Sequence, residues 1–268
     1  MKLFFRKYGK GPPLVILHGL YGSSDNWIPI AARLSDEYTV LLPDQRNHGS
    51  SPHSALHDYI YLSSDIEEFA EKNIDGPFIL LGHSMGGKAA MTFALRHPEL
   101  LNALIVADIS PFTRSDDQSA IARSHNNILE ALLKTDLSAF SSRAAIEKEI
   151  SSYIGDEKVT SFIMKNLQRE GKDKFAWKLN AAALCDNIDK LMETIPFSNS
   201  GESMAVGFPV LFIRAGRSNY LPESHIPDIA RIFPTATFRT IEGAGHWLHA
   251  EEPAKFTQMV KDFLGGDY

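Results

Sequence analysis

The chain has almost no sulfur chemistry and no long apolar run. Its single cysteine, Cys185, has no partner for an internal disulfide and cannot hold a metal cluster alone. The longest apolar stretches, such as Phe78–Leu81 and Leu104–Ala107, fall far below the roughly 20 residues that span a bilayer. No basic block dominates: 27 Lys and Arg stand against 33 Asp and Glu, a net charge of −6, which offers no footprint for nucleic acid or an anionic membrane. The N-terminus holds only Leu3, Phe4 and Phe5 between Lys2 and Arg6, too few for a secretory hydrophobic region. There is no internal repeat and no low-complexity tract. These absences leave a soluble protein, expected in the cytoplasm, with no stable membrane insertion.

What is there is ordinary in amount and informative in order. The 268 residues, 44% hydrophobic and 22% charged, suit one or two globular domains. Leu14–Leu17, Tyr38–Leu42, Phe78–Leu81, Leu104–Ala107, Val210–Ile213 and Ala236–Ile241 read as strands. Most lack polar alternation, as strands of a parallel sheet covered on both faces do. Between them, Asp25–Leu34, Leu62–Lys72 and Met85–His97 carry apolar residues at helical spacing, and Pro98 stops the third. Two more helices fit 222–233 and 251–264, the latter opened by Pro253. This alternation predicts a doubly wound α/β sheet.

One interval breaks the rhythm. Residues 110–208 number 99, where an ordinary crossover unit takes about 30. Ile121–Lys134 and Ser142–Tyr153 are amphipathic and helical in composition, and Phe197–Gly207 reads as a loop rich in Ser and Gly. The expectation is a helical cap over 110–208, inserted into a core formed by 1–109 and 209–268. A second independent domain is the alternative.

Gly82-His83-Ser84-Met85-Gly86 follows the strand FILL and precedes the helix MGGKAAMTFALRH. In that strand–turn–helix setting G-x-S-x-G is a nucleophile elbow: the turn strains the serine, projects its side chain above the sheet, and leaves no room for Cβ atoms at the glycines. The helix N-terminus adds a positive dipole end. A bland reading is a glycine-rich turn ending in a serine N-cap. An activated serine needs a base, and the base an orienting acid. Of ten histidines, His246 follows the last strand in GAGH and is best placed to be the base; His249 is the near rival. His53 and His57, in a polar loop, and His97, at a helix end, read as solvated surface residues.

The chain resembles the α/β-hydrolases along essentially its whole length, and most closely the YbfF-type bacterial esterases. HGLYGSSDNW (18–27), PDQRNHGSSPH (43–53), GHSMGGKAAM (82–91), ADISP (107–111), FAWKLN (175–180) and GAGHWLHAEEP (243–253) carry the narrower match. The family's first strand is expected to be missing, because only about a dozen residues precede LVILHG. Many members place the acid in a G-x-x-D turn after the cap, but that turn reads Gly216-Arg217-Ser218-Asn219 here. An amide can hold the imidazole in one tautomer but does not stabilise imidazolium, and in serine proteases the corresponding change lowers kcat by about 10⁴. Asp108, closing LIVAD at the edge of the sheet beside the elbow, is therefore expected to serve, as the resemblance also implies. Its bland reading is a carboxylate capping the strand end, and Glu242 and Asp228 are weaker candidates.

The resemblance places the oxyanion donors at the backbone N–H groups of Leu20 and Met85. His18 orders that loop, and Asp44, Arg46 and His48 support it. His18, Trp177 and Trp247 are the candidate substrate contacts; Lys88 is either a satisfied buried amine or a ligand contact, and Cys185 is packing. The expectation is a serine hydrolase of short to medium acyl esters and acyl-CoA thioesters, needing no cofactor or metal, monomeric or dimeric. An aspartate would stand at the elbow of a dehalogenase or epoxide hydrolase. Carbon–carbon bond hydrolases, cofactor-free haloperoxidases and a noncatalytic binding protein stay open.

Overall fold

The computed structural model describes residues 1–113, 118–171, 174–196, 205 and 207–266. Leu14 and Ile16 point to one side of their strand, Val15 and Leu17 to the other, and all four are buried. Successive strand residues face opposite ways, so a run of unbroken apolar residues needs cover on both faces, and the chain supplies it. The strands are β1 (Phe5–Tyr8), β2 (Pro13–Leu17), β3 (Thr39–Pro43), β4 (Phe78–His83), β5 (Leu101–Ala107), β8 (Val210–Ala215) and β9 (Ala236–Ile241). They form one sheet in the order β1-β3-β2-β4-β5-β8-β9, parallel except for β1, which pairs antiparallel with β3. The short N-terminal stretch thus still supplies an edge strand, one the sequence reading passes over because Arg6 and Lys7 interrupt its apolar character.

On one face, α1 (Ile28–Leu34) and α10 (Pro253–Leu264) lay Ile30, Leu34, Phe256 and Val260 over Ile16, Leu81 and Ile105. On the other, α2 (Tyr59–Asn73) and α3 (Met85–Arg96) contribute Leu62, Ile66, Met91 and Phe93 to a core that holds Val15, Leu80 and Leu104. Burying each such side chain is worth about 1.5–3 kcal/mol. The helix α2 starts three residues before the predicted point, because the Asp58 carboxylate accepts the Ile60 and Tyr61 N–H groups and caps it. The helix expected over 251–264 is α10, opening at Pro253, and a further short helix that the sequence reading passes over, α9 (Leu248–Glu251), precedes it. The stretch Asp25–Leu34 likewise opens with a 3₁₀ turn, Ser24–Trp27. The predicted helix over 222–233 divides into a 3₁₀ turn, Glu223–His225, and α8 (Ile226–Ile232).

Between β5 and β8 lie α4 (Gln118–Lys134), α5 (Arg143–Ile154), α6 (Glu157–Met164) and α7 (Ala181–Met192). This segment is not wholly helical as expected. The strands β6 (Leu167–Glu170) and β7 (Lys174–Trp177) form an antiparallel hairpin between α6 and α7. Four-residue strands with Arg169, Glu170 and Lys174 carry too little apolar alternation to declare themselves. Of the loop expected over 197–207, only residues 205 and 207 lie within the described residues.

Candidate active site

The strand β4 runs straight into Ser84, which adopts φ 54° and ψ −121° before α3 begins at Met85. A positive φ is strained for a residue with a Cβ. The flanking glycines permit the bend: a Cβ on Gly82 would stand 2.2 Å from the Gly86 carbonyl, and one on Gly86 would stand 2.6 Å from those of Leu17 and His18. Real side chains do not tolerate such approaches, so the G-x-S-x-G spacing is dictated by the packing of the elbow on β2.

One strand over, Asp108 leaves β5 with φ 48° and is wholly buried. Its Oδ1 accepts the Ala215 N–H at 3.1 Å, and its Oδ2 meets His246 Nδ1 at 2.8 Å. One carboxylate oxygen is thus fixed to the end of β8 and the other to the imidazole. The loop after β9 brings His246 here, and the His83 ring donates from Nε2 to the His246 carbonyl at 2.8 Å. Asn219 is exposed and lines a cavity wall, while Asp228 pairs with Arg231 on α8.

The other histidines separate clearly. The ring of His249 stacks on Trp27, centroids 4.1 Å apart, and burial pushes its pKa down to about 3. His53 is exposed and His97 half-buried. His57 corrects the expectation of a solvated residue: it is wholly buried, shares a 3.2 Å hydrogen bond with Asn47 Nδ2, and burial lowers its pKa to about 3. A polar sequence around it concealed that the loop folds back over the core.

Leu20 sits in a tight turn closed by a 2.9 Å bond from Gly22 N–H to the Gly19 carbonyl. His18 is buried beneath it; Nδ1–H donates to the Gly19 carbonyl at 2.9 Å and Nε2 accepts the Gln45 N–H at 2.9 Å. His48 works the same way, donating to the Arg46 carbonyl at 2.8 Å and accepting the Tyr21 N–H at 3.2 Å. Burial depresses both pKa values, which suits rings that must each keep one bare nitrogen. Asp44 accepts the Ser24 and Ser50 N–H groups, and Arg46 forms a two-pronged pair with Asp65 at 2.5 and 2.8 Å. His48 thus bonds the turn directly, whereas Arg46 is tied to Asp65 and to the Leu56 and Tyr61 carbonyls away from it.

Two cavities of about 320 and 310 Å³ meet at Ser84. Ser84, Leu20, Tyr220 and His125 wall both. Met85 and Lys88 line the first; His18, His246 and Trp247 line the second. Trp177 lines neither; it is half-buried on β7 against the core. From α3, Lys88 donates to the Glu193 carbonyl just past α7 at 2.6 Å and to Thr113 Oγ1 at 3.3 Å while lining the first cavity, and burial lowers its pKa to about 8. Cys185 is half-buried against the core. Two residues that sequence reasoning missed stand at the centre of the site: Tyr220, stacked on His246, and His125, reaching in from α4 with Nδ1 3.3 Å from the Tyr21 hydroxyl. Neither carries a local signal, since only the fold brings them to the elbow.

Among the described residues no helix is long and apolar enough to cross a membrane. A family profile described as alpha/beta hydrolase fold matches residues 12–140. The sn-1-specific diacylglycerol lipase ABHD11 of Mus musculus is 35% identical over 260 residues, covering 94% of this chain and 81% of that protein. Esterase YbfF of Escherichia coli is 30% identical over 254 residues, 94% of this chain and 92% of its own. A solved marine microorganism esterase superposes with a TM-score of 0.91 at 42% identity, covering 98% of this chain and 99% of that one. With its sheet, its elbow and these full-length likenesses, the chain belongs to the α/β-hydrolase family and counts YbfF among its relatives.

Proposed function

We propose that the protein is a serine esterase working through an acyl-enzyme, with Ser84 as nucleophile, His246 as base and Asp108 as the orienting acid. The observation that carries this reading is the 2.8 Å bond from His246 Nδ1 to a buried Asp108, with Ser84 and His246 on the walls of one cavity. Ser84 Oγ attacks the acyl carbon as its proton passes to His246 Nε2, and the Leu20 and Met85 N–H groups hold the developing oxyanion. His246 then returns the proton to the leaving oxygen or sulfur, and a water activated by the same ring releases the acid and restores Ser84.

The two cavities divide the substrate. The leaving atom must pass within reach of His246, which lines the second cavity, so the alcohol or thiol side belongs there, beside Trp247 and His18. The acyl chain then occupies the first cavity, walled by Leu20, Met85, Ile109 and Leu191. Its apolar walls suit short to medium chains. The segment between β5 and β8, which lends His125 to both cavities and Leu191 to the first, is the cap in this reading. Names borne by the relatives, esterase and lipase, agree with ester substrates.

A panel of kcat/KM values across p-nitrophenyl esters of increasing chain length, acyl-CoAs and a carbon–carbon bond substrate tests this. Ester turnover that peaks at short to medium chains and vanishes in Ser84→Ala is expected. Turnover confined to the carbon–carbon substrate, or none at all, would overturn the reading.

A further inference from the structure

Tyr21 is the third residue of the turn Gly19-Leu20-Tyr21-Gly22 and has φ 62°. Glycine is the usual occupant of such a position, because a Cβ disfavours positive φ. A strained residue of this kind persists only where its surroundings over-determine it, and both backbone groups of Tyr21 are held. Its N–H donates to His48 Nε2 at 3.2 Å, from within the core, whereas its carbonyl accepts from Asn166 Nδ2 at 2.8 Å. Asn166 comes from the segment inserted between β5 and β8, at the corner where α6 passes into β6.

That corner is itself rigid. The Asn166 backbone N–H donates to the Ile163 carbonyl at 2.9 Å, its carbonyl accepts the Lys178 N–H at 2.9 Å, and Nδ2 also reaches the Ile163 carbonyl at 3.2 Å. The side chain is buried. Its amide nitrogen is thus shared between its own corner and Tyr21, with the shorter bond to Tyr21, and the residue it meets there follows the proposed oxyanion donor Leu20 directly.

We propose that Asn166 is a positioning residue for the oxyanion turn: docking of the α6–β6 corner selects the Tyr21 conformation that aims the Leu20 N–H at the substrate oxygen. The inserted segment then does more than shape the cavities. It completes the transition-state-stabilising backbone, so a segment displaced from the core leaves the nucleophile present and the oxyanion turn unsupported. This inference rests on the esterase reading above, with Leu20 as a donor.

The test is Asn166→Asp, which keeps the shape, loses the donor and sets a carboxylate oxygen against the Tyr21 carbonyl. With p-nitrophenyl butyrate, kcat should fall about ten- to thirtyfold, less than the 10²–10³ of removing an oxyanion donor outright, with KM within about threefold. Inhibition by a trifluoromethyl ketone, whose adduct places an oxyanion in the same turn, should weaken in proportion to kcat/KM. Asn166→Gln, which keeps a donor, should recover part of both. Asn166→Ala serves the same readouts if the aspartate variant does not fold. A lower melting temperature with kcat and ketone inhibition within twofold of wild type would mean a purely structural bond and overturn the inference. Wild-type protein that turns over no ester would instead overturn the reading on which it rests, and the inference with it.

Discussion

The imidazole of His246 lies flat on the ring of Tyr220, with centroids 3.8 Å apart and planes 18° from parallel. The Asp108 bond fixes the ring's edge and the tyrosine fixes its plane, so the side chain has little freedom left. In the proposed mechanism His246 becomes a cation over an aromatic face when it takes the proton from Ser84, an arrangement worth about 0.5–2 kcal/mol. The Tyr220 hydroxyl stays neutral, burial and Asp108 having pushed its pKa up to about 12.

Tyr220→Leu should therefore lower kcat by about two- to thirtyfold, the range that 0.5–2 kcal/mol supports, and move the acidic limb of the pH–rate profile, where the base must be free of its proton, to lower pH. Tyr220→Phe keeps the ring and should retain most of the rate. Steady-state kinetics from pH 5 to 9 checks both; equal losses in Leu and Phe variants would place the effect in the hydroxyl instead.

Replacing the acid separates the two carboxamide and carboxylate positions near the base. Asp108→Asn should reduce kcat by about 10⁴, as when an oriented imidazolium loses its charge partner in a serine protease. Asn219→Ala should change it little, since His246 Nδ1 is already committed to Asp108. Near-full activity in Asp108→Asn would remove Asp108 from the mechanism.

The elbow and the position of His246 were legible because their signals are local. Ser84 is marked by glycines whose absence of Cβ the bend requires, and His246 by its place after the last strand. Asp108 needed a longer argument, from Asn219 in the usual acid position to the strand end beside the elbow. Tyr220, His125 and Asn166 were not legible, because each meets a partner only the fold supplies: His125 and Asn166 reach Tyr21 across more than a hundred residues of chain, and Tyr220 stacks on His246 from the loop of a different strand. The burial of His57 was hidden for a related reason: its neighbours Ser54 and Asp58 are polar, but the bonds they make are to backbone and loop. The hairpin β6–β7 escaped because its strands are short and charged.

Acid stability follows from the buried histidines. His18, His48, His57, His83, His125 and His249 all have depressed pKa values, with burial the main cause, at about 3 for His57 and His249 and about 4 for His125. In the unfolded chain they titrate near 6.5. Above that pH neither state binds these protons and the fold keeps its full stability; below it the unfolded chain binds them and the native one does not. Stability is therefore lost as pH falls from about 6.5 toward the folded values, at up to about 1.4 kcal/mol per pH unit for each histidine. The melting temperature should drop steadily between pH 7 and pH 5, before most carboxylates protonate. Calorimetry across that window checks it, and a flat melting temperature would contradict neutral burial of these rings.

The central claim is that Ser84 is a nucleophile made reactive by the His246–Asp108 pair. The most direct measurement is peptide mass spectrometry after brief exposure of the folded protein to a fluorophosphonate. The account predicts a single phosphonyl adduct on Ser84, formed rapidly in wild type and strongly slowed in His246→Ala and Asp108→Asn. A folded protein whose Ser84 stays unlabelled, or labels equally fast without His246, would contradict it.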